Sequence, residues 1–177
     1  MMYISSQIRE IIEKACSSQQ IGTTSVFLEP IDDGTIRWTS PFIPVRPERT
    51  DQDIEFAVDF QMTKVRSVAE MYQTDYLVIT LYLVGGDPDL MPRDRALLGN
   101  RLVEIDQLNR EEPGVKFRFQ SQPSESSDGS WIVIESDIRV DGADGLGEKT
   151  LVNALERLLE CAEARYWDVY ELVVDPA

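Results

Sequence analysis

Val115-Lys116-Phe117-Arg118-Phe119-Gln120, and after it Trp131-Ile132-Val133-Ile134, are the two short runs on which the fold turns. In the first, apolar and polar residues alternate with a period of two, the mark of a strand with one greasy and one wet face. In the second the apolar residues are consecutive, as in a strand covered on both faces or placed centrally. The polar connection Ser121 to Ser130 makes the pair an antiparallel hairpin. Apolar stripes at helical spacing flank it. Upstream they are Leu98, Leu102, Ile105 and Leu108, closed by Glu111-Glu112-Pro113-Gly114, where proline and glycine forbid continuation. Downstream they are Leu151, Leu155, Leu158, Leu159, Ala162, Tyr166, Val169 and Val173, with Glu156, Glu160, Glu163 and Asp168 on the other face. Met91 to Ala177 thus reads as helix, strand, turn, strand, long helix.

Toward the N-terminus, Ile4, Ile8, Ile11, Ile12 and Ala15 predict a first amphipathic helix broken at Gly22. Thr24 to Glu29 and Thr35 to Thr39 read as strands joined through the turn-rich Pro30 to Gly34. Residues 40–53 form a proline-rich extended segment, since Pro41, Pro44 and Pro47 exclude a helix or a central strand. Its apolar Phe42, Ile43 and Val45 point to packing along a surface. Ile54, Phe56, Val58, Phe60 and Met62 alternate with polar or small residues as one long strand, Lys64 to Tyr72 is open between strand continuation and a helical turn, and Tyr76 to Val84 is the most apolar strand of all. The order is helix, several strands, helix, two strands, helix. Hairpin connections make this an α+β fold, a mostly antiparallel sheet with helices packed on it, spanning residues 1–177 as a single domain.

At 177 residues and 42% hydrophobic, the chain is long enough for one substantial core. Its net charge of -15 repels phosphate backbones and anionic membranes, which argues against nucleic-acid and membrane partners. The charge is uneven. Met91 to Gln120 carries six basic and five acidic residues, Asp141 to Ala177 three basic and nine acidic, so the near-neutral stretch is either a contact surface or a local fluctuation. The longest apolar run is too short to cross a bilayer and the N-terminus lacks a secretory pattern, so a cytoplasmic protein is expected. Cys16 and Cys161 fall on apolar helix faces without CxxC spacing and read as buried, reduced thiols.

The chain has no histidine, which removes Ser-His-Asp and Cys-His nucleophiles, His-ligated zinc and the commonest general base. Gly142 to Thr150 sits where a phosphate-binding loop belongs, but Glu148 stands between Gly147 and Lys149, and the acidic Asp141, Asp144 and Glu148 would repel a triphosphate. A glycine loop with an N-capping Thr150 or a Glu-bearing first helical turn fits better. As a calcium loop starting at Asp141 the same residues put Ala143 and Gly145 at ligand positions, which fails. We therefore expect no catalytic residue, metal ligand or cofactor.

The stretch Leu108-Asn109 through Val115 to Phe119, Trp131 to Ser136, and Leu151 to Trp167 resembles the YbjN-type domain and the wider type III secretion chaperone-like superfamily. The resemblance covers the last half in sequence and the first half by order of elements, and Thr35 to Tyr72 is longer than the family's plain three-strand portion. It implies a small, acidic, commonly dimeric protein that binds another polypeptide and does no chemistry. Trp38, Phe42 and Ile43 are the candidate partner contacts, set against simple packing over the sheet. Leu98, Leu102 and Ile105 are the candidate dimer contacts, set against packing on their own sheet. The alternative function is a small-molecule sensor or carboxylate-based enzyme with a cleft between sheet and helices.

Overall fold

The computed structural model describes residues 5–18, 27–30, 36–39, 43–66, 73–85, 95–121, 130–140 and 146–173. Among these residues there are three helices, α1 (Ser5–Ser18), α2 (Arg95–Glu111) and α3 (Glu148–Val173), and eight strands. The strands are β1 (Phe27–Pro30), β2 (Ile36–Thr39), β3 (Ile43–Val45), β4 (Ile54–Phe56), β5 (Val58–Arg66), β6 (Gln73–Gly85), β7 (Lys116–Ser121) and β8 (Ser130–Arg139). One sheet runs in the order β1-β2-β5-β6-β8-β7, and a second pairs β3 with β4. The registers described for β1 with β2, β2 with β5 and β7 with β8 are all antiparallel, so the fold is α+β as its hairpin-rich sequence requires.

The chain gathers into two compact units. The first comprises Met1–Ile43, Ala57–Thr80 and Ser136–Arg157. In it α1 buries Ile8, Ile12, Ala15 and Cys16, spaced at helical intervals, while Arg9 to Glu13 and Lys14 to Glu10 form ion pairs along its wet side. β2 stands in register with β5, Trp38 opposite Phe60. Val58, Phe60, Leu77, Ile79, Ile138, Leu151 and Leu155 complete this core. Gly147 accepts the first helical hydrogen bond of α3, from the Leu151 N–H at 3.0 Å, so the helix opens on Gly147 and Glu148. The Glu-bearing first turn holds; Thr150 lies inside the helix and is not its cap. Gly142 to Gly145 lie outside the described residues.

The second unit comprises Pro44–Phe56, Leu81–Glu135 and Leu158–Ala177. Its core is Phe56, Leu81, Leu83, Ile105, Leu108, Phe117, Ile132, Ile134, Leu158, Ala162 and Val169. α2 stops at Glu111, and Gly114, at φ 91°, takes the left-handed conformation that turns the chain into β7. Two expectations change. The alternating run Ile54 to Met62 is two strands, β4 and β5, that break at Ala57 and join different sheets, because alternation specifies faces and not partners. Asp59, on the expected wet face, is 4% exposed, so that face of β5 is covered at this position.

Neither cysteine is in a disulfide, and both are buried. Burial, with the Glu13 carboxylate adding to it, pushes the Cys16 thiol from 9.0 up to about 11. The folded protein holds that proton more tightly than the unfolded chain. The contribution to stability is thus complete below pH 9.0 and lost as pH rises toward about 11. Alkylation of Cys16 at neutral pH, followed by mass spectrometry, is expected to require unfolding; labelling at the rate of a free thiol in native protein would contradict this.

Candidate functional site

In the second unit, α2 and the part of α3 from Leu158 onward lie side by side and antiparallel. Arg101, near the start of α2, donates to the Val173 carbonyl at the end of α3 at 3.3 Å, while Glu112, just past the end of α2, meets Arg165 at 2.7 Å. Arg101 is buried, and its guanidinium beside the C-terminal carbonyls of α3 complements the negative end of that helix dipole. The inward stripe of α2 is therefore Arg101, Ile105 and Leu108. Leu102 sits on the shoulder at 49% exposure and Val103 beside it at 67%. A long guanidinium stem has taken the place that spacing alone assigned to leucine.

A groove of about 290 Å³ runs between the two helices, lined by Glu104, Gln107, Leu108, Glu111, Arg165, Asp168 and Leu172. Arg165 is the cation among these lining residues and is fully engaged: Nε on Glu112 at 2.7 Å, Nη2 on Glu111 at 3.2 Å and Nη1 on Asp168 at 3.2 Å. These carboxylates, Glu112 foremost, hold its guanidinium above its already high ordinary pKa, so it stays charged at any working pH. Arg49 adds a bond to the other oxygen of Asp168 at 3.4 Å. It projects from the turn between β3 and β4, where its own φ of 66° is the strained left-handed conformation. The same turn is pinned to α3 by the Glu48 N–H, which donates to the Glu163 carbonyl at 2.9 Å. Beside it, Phe56 packs on Tyr166, and Tyr166, Trp167 and Tyr170 make mutual ring contacts at 5.0 to 5.9 Å.

One face of the β7–β8 hairpin carries a second polar network. Arg118 pairs with the buried Glu135 and donates to Gln120 at 2.9 Å, and Gln120 donates to the Tyr82 hydroxyl at 3.2 Å. Tyr82 meets the Trp131 ring edge-on at 5.6 Å, and the indole lies against the bare backbone of Gly85. All four polar groups are spoken for, which marks this network as structural.

Of the residues named from sequence, Ile43 is 3% and Ile105 5% exposed, so neither offers surface, whereas Leu102 does. Trp38 is placed by its backbone in β2 and Leu98 in α2, with their side chains outside the described part, and Phe42 lies outside the described residues. Sequence reading missed Val103, which lies off the apolar stripe of α2, and the Arg165 cluster, whose Glu112 is 53 positions from Arg165 and which carries no local pattern. Among the described residues no group of three or more His, Cys, Asp or Glu could hold a metal ion. No helix among them is long and apolar enough to cross a membrane. No family model matches the chain, and no curated protein matches it.

Proposed function

We propose that this chain is a non-enzymatic polypeptide-binding module of the secretion chaperone-like kind, cytoplasmic and homodimeric, with the outer face of α2 as its contact between copies. The observation that carries the reading is the adjacent pair Leu102 and Val103, two aliphatic side chains held in water on a helix whose next turn is anchored by buried Ile105. An apolar pair on a rigid support loses little conformational entropy when a partner covers it. The carboxylates of the neighbouring groove favour binding over catalysis: Glu111, Glu112 and Asp168 are committed to Arg165, and a carboxylate locked to a guanidinium is a poor proton carrier. The net charge of -15 sets the protein against nucleic acid.

Light scattering at micromolar concentration is expected to give twice the chain mass. Leu102→Glu with Val103→Glu should weaken self-association by about tenfold or more, the cost of forcing charge into an apolar contact. A permanently unfolded, carboxymethylated polypeptide should be retained by the immobilised protein. A monomeric mass together with no retention ends the proposal.

A further inference from the structure

We infer that the groove between α2 and α3 docks a basic, extended segment of a partner polypeptide, an inference that rests on the polypeptide-binding reading and gives the partner its chemistry. The volume, about 290 Å³, is at the lower edge of the roughly 300 to 1,000 Å³ that encloses a small-molecule ligand, so the groove suits side-chain stems better than a whole metabolite. Leu108 and Leu172 supply apolar lining on which the methylenes of lysine or arginine can lie. Around them stand three carboxylates, of which Glu111 and Asp168 are paired with Arg165, and Asp168 with Arg49 as well, while Glu104 is left without a counter-charge among the described residues.

That guanidinium does not compete for an incoming anion, since each of its nitrogens already faces a carboxylate. Glu104 differs from the other two acids: it makes no ion pair among the described residues and is exposed. It is thus the point at which an added ammonium gains the most and displaces the least. An acidic segment would be repelled by Glu104, and a neutral one would leave Glu104 without a counter-charge.

The test uses the full chain and a fluorescent decapeptide with lysine at alternate positions, read by anisotropy, beside its counterpart with glutamate in place of lysine. The lysine peptide is expected to bind and to weaken as salt rises from about 0.05 M to about 0.3 M, which shortens the screening length. The glutamate peptide is expected not to bind. Glu104→Lys should reduce affinity for the lysine peptide about tenfold, whereas Glu160→Lys, the same change of charge on an exposed α3 position outside the groove, should change it less than about twofold. Circular dichroism confirms that both variants fold. Equal losses in the two variants, or equal binding of the two peptides, overturn the inference in favour of diffuse charge attraction. Retention of the unfolded polypeptide without binding of the lysine peptide overturns this inference and leaves the proposed function standing; failure of both removes the two together.

Discussion

Gly85→Ala is expected to lower the stability of the fold by about 3 kcal/mol, at the top of the range for overpacking, because the half-buried Trp131 indole is seated directly on the Gly85 backbone. A methyl group built on the Gly85 backbone falls inside the Trp131 indole, on its fused-ring carbons. The ring has nowhere to go cheaply, because the edge of Tyr82 is set against it at 5.6 Å and 86° and Tyr82 is itself tied to Gln120. For a chain of this length the melting temperature should fall by roughly 6 to 12 °C. Removing the ring first gives the decisive comparison. In a Trp131→Ala background, already destabilised, the added Gly85→Ala should cost less than about 0.5 kcal/mol, since the obstruction has gone. Equal costs in the two backgrounds, measured by denaturant titration, would show that the indole is not what requires glycine here.

The second large effect belongs to Asn109. β7 is the outermost strand of its sheet, and the Phe117 N–H and C=O turn away from β8 toward α2. Asn109 meets both, its Nδ2 donating to the Phe117 carbonyl at 3.1 Å and its Oδ1 accepting the Phe117 N–H at 2.6 Å. One side-chain amide thereby does what the backbone of a further strand would do. Asn109→Ala leaves a donor and an acceptor together without partners in a part-buried place, and the expected loss is about 2 to 3 kcal/mol. Asn109→Asp keeps the acceptor and sets a carboxylate against a carbonyl, so it should recover only part of the loss. Hydrogen exchange at the Phe117 amide is the direct measurement. If that amide stayed as protected in Asn109→Ala as in the parent, the bidentate clamp would have no energetic standing.

The parts of this fold that were legible in the sequence are those in which one element declares its own face. The long stripe from Leu151 gave α3, the alternation at Val115 to Phe119 gave the edge strand, and the apolar run Tyr76 to Val84 gave the interior strand β6. What was not legible depends on partners. Nothing at Ala57 announces that β4 leaves one sheet and β5 enters another, since both keep the same alternation. Leu102 has the right spacing for the core, but Arg101 holds the inward position, reaching Val173, and Leu102 is left 49% exposed. Asn109 and Gly85 look ordinary in sequence because their roles exist only against Phe117 and Trp131. The groove is more hidden still, being drawn from two helices far apart in the chain, with Arg165 legible only as one charge among many.

The turn between β3 and β4 leaves α3 carrying an extra hydrogen bond at the Glu163 carbonyl, donated by an amide that belongs to no ladder. The Glu48 proton therefore exchanges with solvent whenever this turn lifts from the helix, at a rate set by that local opening and independent of global unfolding. A single resolved amide resonance thus serves as a native gauge of whether the turn is seated, without any label being attached to the protein.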